Sequence, residues 1–281
     1  MEIFHLTEQD VDKALPVRNI QAHKGDFGRI LLICGSKGYT GAPALAAMGA
    51  LRSGAGLVYL AVPEDIYEIE AIKLTEPIVY PISMENGLPA PSAISQLRAL
   101  LSKMDAVLIG PGCGASRSTF EMVQLVLNEF KGPVVLDADG INVLAAHKDI
   151  LRRRTAPTIL TPHPGEFKRL ATLLDNRMEA AVELARDLGV VVLLKGHHSV
   201  ITDGNTCYMN RTGNPGMAVG GSGDVLAGMI VSLLGQGISP LLATACGAWL
   251  HGRAGDLCAA EIGQYGMLPT DMLNVLPRLM K

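Results

Sequence analysis

The sequence predicts an α/β fold, a mostly parallel central sheet with helices on both faces. Three observations carry this reading. Short β-like apolar runs alternate with helix-like segments. The runs are nearly continuous in apolar residues, as strands covered on both faces should be. The residues just after them are repeatedly glycine-rich or polar, and open α/β sheets bind ligands beyond the carboxyl ends of their strands.

The candidate strands are Arg29–Cys34, Leu57–Val62, Ala106–Ile109, Val134–Leu136, Thr158–Leu160 and Val190–Leu194. The candidate helices between them are Pro43–Ser53, Ser92–Lys103, Ser118–Phe130, Pro164–Leu173 and Arg177–Leu188. Such alternation implies βαβ units. After Leu194 the pattern changes. Ser199–Thr202 and Cys207–Met209, joined across Asp203-Gly204, read as a hairpin. A glycine-rich loop follows, then two long apolar helices, Asp224–Leu234 and Pro240–Ala260. No linker, low-complexity stretch or internal repeat interrupts the chain, so one domain over residues 1–281 is expected.

Composition narrows the function. Only 18% of the 281 residues are charged while 48% are apolar, against an ordinary charged share of about 25%. Little surface need face water, which fits a large core, a subunit interface or both. A net charge of −3 without a basic face argues against nucleic-acid binding. The five cysteines form no C-x-x-C pair, so neither a zinc site nor a disulfide framework is suggested and a reducing cytoplasm is expected. The N-terminus lacks a signal-peptide core, and no apolar run reaches the roughly 18 residues of a membrane span.

The segment Asn214–Gly228, NPGMAVGGSGDVLAG, runs a glycine-rich turn directly into an apolar helix. Glycines allow close backbone approach, and the free N–H groups at a helix start point at an anion. Gly220-Gly221-Ser222-Gly223-Asp224 therefore reads as a phosphoryl-handling turn. Asp224 has two readings, a helix cap or a general base on an attacking hydroxyl. Neither G-x-x-x-x-G-K-[ST] nor G-x-G-x-x-G occurs, which removes the P-loop and weakens a dinucleotide dehydrogenase.

The other polar turns leave alternatives open. Gly35–Gly41 is either a ligand loop or a plain strand-to-helix turn. In Thr161-Pro162-His163-Pro164-Gly165-Glu166, a stiffened His163 and Glu166 serve a polar ligand, or Pro164 opens a helix and Glu166 complements its dipole. Lys195-Gly196-His197-His198-Ser199 is a site loop or a tight turn. Adjacent histidines on extended backbone face apart, so a bidentate metal site there is not expected. Asp137 and Asp139 should share a side and hold substrate or Mg²⁺ through water, or cap the next helix. His147, His251 and Trp249 read as structural.

Taken together, these segments resemble the ribokinase-like superfamily, whose G-x-G-D signature Gly221-Ser222-Gly223-Asp224 matches. His23-Lys24-Gly25, Gly35–Ala42, Gly110-Pro111-Gly112, Asp137-Ala138-Asp139, Thr161–Glu166, Leu194-Lys195-Gly196 and Asn214–Gly228 narrow the likeness to the ADP/ATP-dependent NAD(P)H-hydrate dehydratase family, over essentially the whole chain. Ser222 and Ser199 stand where threonine is frequent, and both keep a hydroxyl. Gly140-Ile141 replaces the more common Ala-Leu.

The resemblance implies repair of hydrated NADH or NADPH. The ring hydroxyl of the S epimer is phosphorylated from ADP or ATP with Mg²⁺, and phosphate then leaves. It implies Asp224 as base, Gly221, Ser222 and Gly223 at the phosphoryl group, and Gly223 with Lys195, Gly196, His197, His198 and Ser199 at the adenine nucleotide. Ala42, Gly112, His163 and Asp224 would contact the hydrated dinucleotide. No metal ligand is assigned. The apolar bias and two long terminal helices favour an oligomer, and the resemblance implies a homotetramer. A separate epimerase partner is also expected, because some enzymes of this kind carry an epimerase domain ahead of this part. A ribokinase-like small-molecule kinase, such as a hydroxyethylthiazole-type kinase, is the alternative.

Overall fold

The computed structural model describes residues 2–280. Its strands are β1 (Ile3–Phe4), β2 (Arg29–Ile33), β3 (Leu57–Pro63), β4 (Ile78–Ile82), β5 (Met84–Glu85), β6 (Leu88–Pro89), β7 (Ala106–Ile109), β8 (Val134–Leu136), β9 (Thr158–Leu160), β10 (Val191–Leu194), β11 (Val200–Thr202) and β12 (Cys207–Met209). Its α-helices are α1 (Glu8–Ala14), α2 (Gly41–Arg52), α3 (Tyr67–Lys73), α4 (Pro91–Leu101), α5 (Arg117–Glu129), α6 (Asp139–Asn142), α7 (Asp149–Arg153), α8 (Pro164–Leu170), α9 (Arg177–Leu188), α10 (Ser222–Gly235), α11 (Pro240–Ile262) and α12 (Pro269–Leu279).

Ten strands form one sheet in the order β1-β12-β11-β10-β9-β8-β7-β2-β3-β4. Only β11 runs against the rest, pairing antiparallel with both β10 and β12. The expected parallel sheet and its late hairpin are both present. Side-chain alternation sends Ile30 and Leu32 into one core, with residues of α2, α10, α11 and α12. Leu31 and Ile33 enter the other core, with residues of α4, α5 and α9. The sheet is thus covered on both faces, which is why its strands read as unbroken apolar runs.

Several short elements were not read from the sequence, and three of the unread ones concern the sheet edges and the C-terminus. β4 contains Pro81, which argues against a strand, but β4 is a sheet edge where a missing N–H is tolerated. β1 is only two residues long. The third, α12, starts at Pro269 and contains Pro277. The C-terminal part therefore ends in three helices rather than two. Among the described residues no helix is long and apolar enough to cross a membrane.

One packing relation positions the end that carries the predicted site residues. α2 and α10 approach backbone to backbone: a Cβ built on Gly228 would lie 2.1 Å from Ala46 O, and one on Gly49 would lie 2.5 Å from Val225 O. The heads of both helices carry predicted site residues, Ala42 on α2 and Asp224 on α10.

Candidate active site

The turn that opens α10 is built by Gly221, which caps the helix at φ 96°. A side chain there would meet Leu45 Cδ1 at 2.4 Å, so only glycine fits both the angle and the space. Ser222 N–H donates to Val219 O (3.3 Å). That donor is engaged within the turn, and the expectation of a continuous Gly221–Gly223 cradle is adjusted accordingly. The N–H groups of Gly221, Gly223 and Asp224 have no acceptor among the described residues. They are the orphan donors that a helix start offers an anion.

Asp224 occupies the third position of that helix, and no side chain caps the turn. The cap reading of Asp224 is therefore not what the structure supports. Its carboxyl is instead pushed up to about 7, first by burial, then by the charge of Asp137, with Lys195 acting the other way. Such a group exists in both protonation states near neutral pH, as a general base requires.

Lys195 links this turn to the sheet. Its Nζ donates to Asp137 Oδ1 (2.7 Å) and lies 4.0 Å from Glu166 Oε2. A Cβ on Gly223 would be 3.4 Å from the same Nζ, so the ammonium sits over the start of α10. Burial alone would lower its pKa, but Asp137 and Glu166 outweigh burial and raise it, keeping the cation. Asp137 is itself buried and accepts a second bond from Thr161 Oγ1 (2.6 Å). Burial raises the Glu166 carboxyl against the pull of Lys195.

The loop Lys195–Ser199 is a turn between β10 and β11. Arg177 braces it from the head of α9, donating to the carbonyls of Leu194, Lys195 and His197. His198 takes φ 52°, so the two histidines do not alternate as extended backbone would dictate. Their rings stack at 3.9 Å. Ser199 Oγ both donates to Gly196 O (2.9 Å) and accepts from Gly196 N (3.2 Å).

Across the sheet ends, Ser36 Oγ donates to Gly112 O (2.7 Å) and Lys73 Nζ to Thr40 O (2.6 Å). These bonds fix the Gly35–Gly41 loop. A Cβ on Gly112 would lie 2.9 Å from Ala42 Cβ, so these two predicted substrate contacts are neighbours. His163 caps α8: its Nδ1 accepts from Gly165 N (2.9 Å) and Glu166 N (3.3 Å), while Glu166 Oε2 accepts from His163 N (2.8 Å). Pro164 does open a helix, as the alternative reading of this motif has it, with His163 as its cap, and the ring stays partly exposed.

Asp137 and Asp139 do not share a side. Ala138 between them has φ 48° and ψ −116°, which breaks strand alternation. Asp139 turns away to accept from Gly114 N (2.8 Å) and Asn142 Nδ2 (3.1 Å). No group of three or more His, Cys, Asp or Glu able to hold a metal occurs among the described residues. His251, read as structural, is buried with its Nε2 3.4 Å from Ser222 Oγ. Burial lowers its pKa to about 4, so a neutral ring backs the anion turn. Its signal in the sequence was only a lone histidine on an apolar helix. Arg177 gave no signal at all.

A mostly parallel α/β sheet with an anion turn, a lysine and a raised carboxyl at its carboxyl end defines the class: a protein of ribokinase-like fold with a candidate phosphoryl site. The chain belongs to the NAD(P)H-hydrate dehydratase family, whose profile matches residues 30–278. It is 43% identical over 95% of its length to the bifunctional NAD(P)H-hydrate repair enzyme Nnr of Moorella thermoacetica, covering 52% of that protein. The chain thus spans about half the length of the bifunctional relatives it matches. With the ADP-dependent (S)-NAD(P)H-hydrate dehydratase of Listeria monocytogenes it shares 34% identity, over 95% of this chain and 92% of that one. The ADP/ATP-dependent NAD(P)H-hydrate dehydratase of Bacillus subtilis, co-crystallised with ATP/Mg²⁺, superposes with a TM-score of 0.85 at 33% identity, covering 99% of this chain and 98% of that one. A hydroxyethylthiazole kinase from Pyrococcus horikoshii shares the fold alone, at 17% identity and TM-score 0.64.

Proposed function

We propose that the chain dehydrates the S epimer of hydrated NADH or NADPH, using ADP or ATP to phosphorylate the ring hydroxyl before phosphate is eliminated. The observation that carries this reading is Asp224, a carboxyl held near neutral pKa inside a turn of free N–H donors and beside the Lys195 ammonium. Asp224 takes the hydroxyl proton. The hydroxyl oxygen bonds to the terminal phosphorus as the bond to the leaving nucleotide breaks. The Gly221 and Gly223 N–H groups and Lys195 hold the charge that develops on the phosphoryl oxygens. Phosphoryl transfer is mostly positioning and charge stabilisation, so these groups suffice for the protein's share. The phosphorylated oxygen then departs as phosphate with its bonding pair, a proton leaves the neighbouring ring carbon, and the dihydronicotinamide is restored.

Lys195, Gly196, His197, His198, Ser199 and Gly223 would line the adenine nucleotide, and Ala42, Gly112 and His163 the hydrated dinucleotide. Asp137 and Glu166 supply hard oxygen atoms beside the anion turn and fit Mg²⁺ held through water and nucleotide phosphates. Bound there, Mg²⁺ would neutralise phosphate charge. We place the enzyme in the cytoplasm as a homotetramer, with an epimerase activity supplying the S form. The test is to mix the protein with hydrated NADH, Mg²⁺ and either ADP or ATP and follow the near-ultraviolet absorbance of NADH. Recovery with a nucleotide is expected. A flat trace with both would overturn the reading.

A further inference from the structure

A cavity of about 640 Å³ opens beside the predicted dinucleotide contacts, between the Gly35–Gly41 loop, the end of β3, the β5–β6 turn and the start of α5. The volume lies in the roughly 300–1,000 Å³ range of small-molecule sites. The proposed reaction engages none of its walls. Gly112 faces Ala42, yet the next residue, Cys113, lines this cavity. A dinucleotide whose nicotinamide lies at Ala42, Gly112 and His163 has a second nucleotide to place, and this is the adjoining space.

The topology of the walls is informative. β2 runs into the glycine-rich turn at Gly35-Ser36-Lys37-Gly38, α2 crosses over, and the parallel neighbour β3 ends at Pro63, directly followed by Glu64 and Asp65. In Rossmann βαβ units an acid after the second strand accepts bonds from ribose hydroxyls and disfavours a 2′-phosphate. This chain lacks that glycine fingerprint but sets Glu64 and Asp65 at the comparable strand end. No hydrogen bond or ion pair among the described residues occupies either carboxylate. Lys37, on the loop nearer Ala42, is the cavity's cation, on the side where a bridging diphosphate must pass. Met84 and Met122 give an apolar, adaptable surface for a base.

We infer that this cavity receives the adenosine half of the hydrated dinucleotide, with Glu64 and Asp65 at its ribose, so that hydrated NADH is preferred to hydrated NADPH. The inference rests on the dehydratase reading. The test measures kcat/KM for hydrated NADH, hydrated NADPH and hydrated reduced nicotinamide mononucleotide, in the wild type and in Glu64→Gln/Asp65→Asn.

The wild type should favour hydrated NADH by roughly tenfold or more, since like charges brought together are strongly disfavoured. The mononucleotide should lose at least roughly tenfold, because remote binding is removed. The double variant should bring the two dinucleotides to within roughly threefold, mainly by improving hydrated NADPH. Both side chains are exposed, so the substitutions leave the core untouched. A melting temperature equal to that of the wild type would show this. Turnover with an unchanged NADH-to-NADPH ratio in the double variant, or with the mononucleotide as good as the dinucleotide, would overturn the inference and leave the dehydratase reading standing. No turnover of any hydrate would overturn both.

Discussion

The Lys195 ammonium is held 2.7 Å from Asp137 Oδ1 in a largely buried site at the head of α10. This pair ties the sheet end to the anion turn, and each partner makes the other tolerable. Lys195→Met should lower kcat by roughly 10²–10³, the scale of losing one preorganised donor. It should also cost about 3–5 kcal/mol of stability, because a buried carboxylate loses its counter-ion. Lys195→Met/Asp137→Asn should regain most of that stability but none of the rate. Urea titration and steady-state kinetics on the two variants separate the effects.

The raised carboxyl of Asp224 sets the pH profile. Its base form is the deprotonated one, and the pKa is about 7. Activity in the free enzyme should therefore rise with pH and reach half its plateau near that value. A kcat/KM profile from pH 5 to 9 tests this, and a plateau already reached at pH 5 would count against Asp224 as the base.

The same shift has a stability consequence with a definite sign. Between the ordinary value of 3.8 and about 7, the folded state holds a proton that the unfolded chain releases. Stability from this group therefore falls as pH rises through that window, and the penalty is complete above it. Asp224→Asn removes the buried charge. It should abolish turnover, leave nucleotide binding intact, and melt higher than the wild type at pH 8, with little difference at pH 4. One kcal/mol would appear as about 2–4 °C.

His163 can be tested for substrate contact apart from its cap. The ring accepts through Nδ1 from Gly165 and Glu166, so its Nε2 carries the proton, and that nitrogen lies 3.3 Å from Glu166 Oε1. Asparagine preserves a capping acceptor and alanine does not. His163→Ala should lose about 1 kcal/mol, His163→Asn much less. If the ring touches the dinucleotide, both should raise KM several-fold. A wild-type KM in His163→Asn would leave only the cap.

Most of the frame was legible because doubly covered strands leave unbroken apolar runs, and because glycine-rich turns end them. What was not legible depended on backbone detail. Ala138 at positive φ sends Asp137 and Asp139 apart, and nothing in DAD spacing announces it. Strand β4 hides behind Pro81, which only an edge position permits. The stacked pair His197 and His198 owes its geometry to one left-handed residue. The Lys195–Asp137–Thr161 contacts join three separate loops, so no local pattern could reveal them.

The close approach of α2 and α10 should tolerate no added volume at its backbone contact. Gly228→Ala would place a methyl 2.1 Å from Ala46 O. That atom is backbone, so no rotamer change relieves the clash and the helices must part. The cost should be at least the 1–3 kcal/mol typical of overpacking, roughly speaking. Because Ala42 and Asp224 head the two helices, kcat should fall as well. Ala46→Gly should not rescue the variant, since the obstacle is a carbonyl rather than a side chain. Gly235→Ala on the same helix is the control. Its methyl would meet Ile30 Cδ1 at 2.0 Å, the far end of a flexible side chain that can turn aside. That variant should be destabilised less and keep its rate. Equal losses in the two variants would show that α10 senses added volume anywhere, and not its backbone contact with α2.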